Sequence, residues 1–475
     1  MATTRKNRLN RSSRPRVATL SACIGWAIAC ASASESADTP AAVADLFVDD
    51  PSHPSAILVD NCNDAGAGSV REAMTTAVDG QLVDASGLTC GVITLATGQI
   101  EVPAASVTLL GPGRGSLTLQ NGNGAKYTNR IFSHSGTGQL ALQGVTLVGG
   151  TIAGSADSLN AFGGCVYSAG KVSLDQTLVK YCVAETSGTA MASGGAIYAK
   201  SGISLLSSTI SGNESRSNAN DSFGGGVFTR GSLFSKYSTI DHNNAVVSMT
   251  GYYGYGGAAW VAGDATVLNT TVNGNYADAA AGLDLPGGLA TTTLQIGNVT
   301  VTDNTTYHSY FGAGVYIGNT ATIANSTITG NVEKNPTNVK YGAGLDIKQG
   351  ITVDIESTIL SANSLDNGSG FLPSDINGRD GTAAITGANN LIGYSILPKP
   401  ADTIVTLDPG LGSLATNGGP TATMMPLATS LAVNAGNNAN NGKYDQRGPG
   451  YPRVVGANAD IGAVETDVLF RNGFE

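Results

Sequence analysis

Apolar residues in the middle of this chain come in short alternating runs separated by glycines, and the runs repeat. Residues 193–213 show the unit. Gly194-Gly195 leads into an apolar strand, Ala196-Ile197-Tyr198. A turn, a second strand at 203–206 and the stretch Ser208-Thr209-Ile210-Ser211-Gly212-Asn213 follow. The second glycine of each pair, or of a Gly-x-Gly, recurs at Gly164, Gly195, Gly226, Gly257, Gly288, Gly314 and Gly344, at intervals of 31, 31, 31, 31, 26 and 30 residues. A partner motif, Thr-[Ile/Val]-x-x-Asn, closes at Asn213, Asn243, Asn275, Asn304 and Asn331. Two motifs that keep phase over this distance mark a repeat architecture.

Each repeat holds three strand-like pieces, which predicts an all-β, right-handed parallel β-helix whose coils stack at about 4.8 Å. Ile197, Val227 and Val315, with Ile210, Ile240, Val272, Val301 and Ile328, should line its core. The repeated Asn amides should bond from coil to coil, as in stacked sheets. The segments between each Asn and the next glycine pair (214–223, 245–255, 276–286, 305–311 and 332–341) vary in length and read as loops. Coils in register must send them out on one side, where a binding surface is expected. Tyr252, Tyr253, Tyr255, Tyr276, Tyr307 and Tyr310 fall there as candidate ligand-binding residues. Tyrosines lining a groove can stack on sugar rings; the competing reading packs them over the coil edges.

The flanks divide the chain further. Residues 1–33 read as a signal peptide, with a basic start, an uncharged 13-residue stretch at 17–29 and small residues at the cleavage point. A lipid anchor at Cys23 or Cys30 is the minor alternative. Residues 34–55 read as a flexible leader. Residues 56–162 form an N-terminal cap and first coils, with Ser69 capping a short helix to Val78 across the open end. Strands are expected at 92–95, 99–102, 107–110, 117–120, 131–132, 140–142 and 145–148. The turn Gly111-Pro112-Gly113-Arg114-Gly115 lacks the Gly-Lys-Ser/Thr ending of a phosphate loop. Regular coils occupy 163–370, C-terminal coils and an irregular cap 371–465, and a short tail 466–475.

Charge narrows the partners. Six of 25 Lys and Arg precede residue 17 and the first acid is Glu35, so a processed chain carries 19 basic against 35 acidic residues. That balance argues against nucleic acid and anionic membrane. No transmembrane segment is expected after cleavage, and the chain should be exported, to the outside or the cell surface. Four cysteines remain, Cys62, Cys90, Cys165 and Cys182, and an even number in an exported chain implies disulfides. Three pairings exist; Cys62–Cys90 with Cys165–Cys182, each local in sequence, is the expected one. No catalytic, cofactor or metal set stands out. The Asn-rich stretch 437–445 is a weak Ca2+ candidate with one acid. Asp445-Gln446-Arg447 reads as a salt-bridged turn, and Asp241-His242 as structural.

Gly194-Gly195-Ala196-Ile197 and the recurring Asn resemble the repeats of the chlamydial polymorphic outer membrane proteins, with Ile or Val in place of Phe before the Asn. Residues 66–73, ending Arg71-Glu72-Ala73, look like the start of exported bacterial proteins named for a CSLREA motif. Residues 389–465, with Asp445-Gln446-Arg447-Gly448, Pro452-Arg453 and a closing Asp460-Ile461-Gly462-Ala463-Val464-Glu465, resemble the end of choice-of-anchor β-helix proteins. These resemblances imply an exported right-handed β-helix, and the polymorphic proteins act as adhesins. The function expected is non-enzymatic adhesion or binding to glycans or cell surfaces. The alternative is a polysaccharide lyase or glycoside hydrolase on an acidic glycan. Its paired carboxylates are not visible, since Asp284, Asp346 and Asp354 fall on different coils; Asp346 is the one to test.

Overall fold

The computed structural model describes residues 54–122, 129–154, 160–288, 292–307, 311–334, 342–378, 381–438 and 441–466. The signal segment, nearly all of the leader, Tyr310 and the tail from 467 lie outside them. The described chain winds as a parallel β-helix, and nearly every strand pairs in parallel with its equivalent one coil away. Returns between parallel strands of one sheet take the right-handed course.

One coil shows the path. Ile197–Ala199 belongs to a ten-stranded sheet, here sheet III. The chain then enters twelve-stranded sheet I at Gly202–Leu206 and eleven-stranded sheet II at Thr209–Ser211. These three sheets enclose the core. Ile197, Ile210, Val227, Ile240, Val272, Val301, Val315 and Ile328 are all fully buried there, as their inward positions require. Each contributes roughly 1.5–3 kcal/mol through burial.

Helix α1 (Val70–Thr76) closes the first coil. The Ser69 side chain accepts from the Glu72 amide at 3.2 Å, and Val70, Ala73 and Met74 face the core. The Cys62–Cys90 and Cys165–Cys182 disulfides both form as expected.

Polar ladders run where the coil turns. Asn213, Asn243, Asn275, Asn304, Asn331 and Asn363 are buried between sheet II and the next strand. Each donates its side-chain amide to the Oδ1 of the following rung at 2.8–3.0 Å. The last of these acceptors is the Asp375 carboxylate. The residue before each rung must adopt positive φ: His242 (53°), Asp303 (56°) and Ala362 (62°) alternate there with Gly212, Gly274 and Gly330. Those glycines make room for the ring or side chain of the coil before, Tyr181 over Gly212 and His242 over Gly274.

Two corrections concern the coil outline. First, the segments at 214–223 and 245–255 are not irregular loops. Glu214–Ser217 and Asn244–Val247 belong to nine-stranded sheet IV, while Ser222–Phe223 and Gly254–Tyr255 belong to four-stranded sheet V. The two sheets face each other as a thin fin outside the core. Ala184, Ala245 and Ala277 of sheet IV meet Ala161, Ala192 and Ala281, and Ser215 Oγ lies 2.7 Å from Ser222 Oγ. Small polar residues hid these strands, because a fin this thin buries Ala and Ser rather than Leu and Ile. Second, Gly288 is out of phase. Leu283 pairs with Ala259 and Val315, so Gly282 holds the equivalent place and Leu283–Leu285 is a sheet III strand. This coil is short because the fin loses its return strand there.

The C-terminal region is a strap rather than an end cap alone. The last coil finishes at Leu391–Ile392, and the chain then runs back along the outer face of sheet II. Gln446 bonds Thr271 Oγ1 and Thr270 O through Nε2 and accepts from Thr300 Oγ1 at 2.6 Å. Ala463 N–H donates to Thr327 Oγ1, and Ile461 and Ala432 pack on Ile359 and Leu391. Asp445 and Arg447 form the expected ion pair, 2.7 Å long and buried.

Candidate functional site

The outward column of sheet III is set by register: Ser133, Tyr167, Tyr198, Phe228, Trp260, Asp284, Tyr316, Asp346 and Asn377 lie one above another. Each is the middle residue of its three-residue strand, so its side chain points away from the core. The first half of the column is a ring stack. Tyr198 and Phe228 are 4.9 Å apart between centroids, and Phe228 and Trp260 4.8 Å, with nearly parallel rings in each case. Sheet V rises beside this column and adds a second row. Phe162 stacks on Tyr198, Phe223 stands edge-on to Trp260, and Tyr255 stacks on Phe223. The two rows pack against each other where sheet III meets the fin.

The ring stack ends at Trp260, and the next rung is Asp284. From there the column alternates ring and acid, Trp260, Asp284, Tyr316, Asp346, at about 4.8 Å per coil. Trp260 is half-buried; Asp284 and Asp346 are 3% and 0% exposed. Phe311 reaches across, with its ring 4.4 Å from Tyr316 and 5.8 Å from Tyr255. The Tyr255 hydroxyl is pushed well above the usual phenol range, first by burial and then by Asp221, Asp284, Tyr253 and Asp278. Every one of those neighbours is negative or can become so. This end of the column therefore gathers three carboxylates, Asp221, Asp278 and Asp284, near the Tyr255 hydroxyl. The other end carries Arg130, 5.4 Å above the Tyr167 ring. Arg230 acts on Tyr198 there and opposes the upward push of burial.

The predicted tyrosines divide. Tyr253 and Tyr255 stand beside the column, their rings 6.3 Å apart. Tyr276 and Tyr307 stack on each other at 6.0 Å, with Lys334 Nζ 5.0 Å from the Tyr307 ring. They project from the outer side of sheet IV, because Ala277 and Thr306 take the inward positions beside them. Tyr252 is 40% exposed at the tip before sheet V. Tyr310 lies outside the described residues.

The acids divide as well. Asp284 and Asp346 share one column, with one coil between them, rather than being scattered. Asp354 is on sheet I, where it accepts from Thr386 Oγ1. Asp221 and Asp278 serve backbone amides, Tyr253 N–H at 3.0 Å and Gly254 N–H at 2.8 Å. Trp260, Asp284 and Tyr316 were missed as a group. The signal was present in the centres of Ile197-Tyr198-Ala199, Val227-Phe228-Thr229 and Ala259-Trp260-Val261, but the false phase at Gly288 broke the column before Asp284.

Elsewhere, a cavity of about 160 Å³ lies at the far end of sheet IV, lined by Phe371, Leu372, Asp375 and Leu407 among others. In the Asn-rich stretch, Asn437 is bonded to Ser357, Asn389 and Glu356. Among the described residues, no group of three or more His, Cys, Asp or Glu is placed to hold a metal ion. No helix among them is long and apolar enough to cross a membrane.

Fold and column together define a parallel β-helix with an aromatic and acidic row along one corner. No family pattern matches the chain, and no curated protein matches it. Among solved structures, the chain is similar to the crystal structure of pectate lyase Pel9A. The TM-score is 0.43 and the identity 13%, over 88% of this chain and 97% of that one.

Proposed function

We infer that this chain is a saccharide-binding β-helix whose ligand docks on the half-buried Trp260, where the ring stack meets the carboxylates. The observation that carries the reading is the alternation Trp260, Asp284, Tyr316, Asp346 in one outward column. A sugar ring offers an apolar C–H face to the accessible part of the Trp260 indole, while Asp284 and Asp346, 3% and 0% exposed, set the charge behind it rather than meeting the ligand. Within the stack the ring faces cover one another, and Tyr198 and Phe228 are each only 5% exposed. The end of the stack is therefore the docking point. The negative surroundings of Tyr255 disfavour a polyuronate and favour an uncharged saccharide. Binding without turnover fits a rigid exported surface protein.

Affinity electrophoresis against neutral and acidic polysaccharides tests this. A neutral polymer should retard the chain. Trp260→Ala should weaken that retardation at least tenfold, while Tyr276→Ala on the outer fin face leaves it unchanged. No retardation by any neutral polymer, or equal retardation of the Trp260→Ala chain, would sink the reading.

One observation favours a second reading. Asp284 and Asp346 stand two coils apart, about 10 Å between backbones, close to the carboxylate separation of inverting glycoside hydrolysis. New reducing ends in the same incubations, lost in Asp284→Asn, would replace binding by cleavage.

A further inference from the structure

The strap over sheet II is fastened by a sealed group of charges. Asp445, Arg447, Arg453, Asp460 and Glu465 are each 2% exposed or less. Arg447 Nη2 lies 2.7 Å from Asp445 Oδ2, and Arg453 Nη2 3.1 Å from Glu465 Oε1. Asp445 Oδ2 also accepts from Glu465 N–H. Both Glu465 oxygens accept from Asp460 N–H, and the Asp460 carboxylate accepts from the Asn434 and Thr466 amides. The group ties Asp445–Arg447 to the later segment Arg453–Glu465 of the strap, so opening it frees both. Three acids face two guanidinium groups. The surface beneath the strap cannot supply the missing cation: Thr271, Thr300, Thr327 and Ile359 carry no charge. Tyr451 covers the far side of Arg447, its ring 4.1 Å away.

We propose that the strap is a pH-dependent latch on sheet II, closed while this cluster holds one neutral carboxyl, and that its opening bares the Thr271–Thr300–Thr327 row. An uncompensated charge in a dry site is costly, so the odd carboxyl keeps its proton. Glu465 is that group. Burial, reinforced by Asp460 and Asp445, outweighs the pull of Arg453 and raises it to about 8. The sign follows from linkage. A raised folded value means the docked strap binds a proton the free strap gives up. Docking is then strongest below the ordinary Glu range and weakens as pH rises from there to about 8, by at most about tenfold per pH unit. Above that it is level.

Hydrogen exchange of the purified full chain between pH 5.5 and 9, corrected for intrinsic rates, tests the latch. Protection at the Gln446, Ala463 and Glu465 amides should fall with pH, while sheet III amides such as Val227 hold. Glu465→Gln fixes the neutral form and should flatten the strap profile at the protected level. Thr327→Val removes one strap hydrogen bond without touching a charge, and should lower protection equally at every pH. A flat wild-type profile overturns the proposal even if Glu465→Gln fails to fold. So does a Glu465→Gln profile that falls like the wild type, or a Thr327→Val profile that loses its slope.

Discussion

Asn275 is bonded to both neighbouring coils. It donates to the carbonyls of Ile240 and Asn273 and to Asn304 Oδ1, and its own oxygen accepts from the Asn243 backbone and side chain. Asn275→Ala would orphan the buried Asn243 amide and leave Asn304 short of donors. The expected cost is about 2–4 kcal/mol, from two buried groups losing partners. Urea unfolding should show a lower midpoint with an unchanged slope. Asn suits every interior rung because it accepts on one side and donates on the other. Asp375 suits the last rung because no further rung needs a donor: Oδ1 takes Asn363, and Oδ2 takes the Tyr394 amide at 2.7 Å.

The fin shows that an element can be a strand without looking like one. Its interior is set by the short distance between sheets IV and V, filled mainly by small residues, Ala and Ser with Thr186. A Cβ at Gly254 would run into the Ala245 carbonyl. Overpacking should therefore hurt more here than in the core. Ala277→Leu, buried at 0% between Ala245 and Ala281, is expected to cost about 1–3 kcal/mol. Its thermal melt should drop by several degrees, and the sheet III face beside the fin should gain exchange. The aromatic rows depend on this spacing, since Phe223 meets Phe228 and Trp260 only because sheet V is held upright.

At the scale of the whole molecule, sheet II has no bare apolar face where the strap covers it. Ile359 and Leu391 are fully buried by contact with Ala432 and Ile461, not by the coil interior. A chain ending at Asn438 removes Ile461 together with the Gln446 and Thr327 contacts. It should keep its β circular dichroism and shift to larger species on size exclusion with light scattering, because an uncovered, regular sheet face recruits another copy.

Repetition is what the sequence determined by itself. Side chains alternate in and out with period two, and equivalent positions stack. The coil path, the buried Ile and Val rows, the Asn ladder, the capping helix and the local disulfides were therefore all written in spacing and residue type. The tertiary structure decided whatever depends on distances between elements far apart in the chain. The fin strands lacked an apolar signature because their partner sheet lies so near. Trp260, Asp284 and Tyr316 became one column only through the register of a short coil, which the Gly287-Gly288 pair disguises. The strap's course was hidden because Gln446 finds Thr271 and Thr300 across more than a hundred residues of chain. No local pattern encodes a contact whose energy comes from a surface the solenoid must first build.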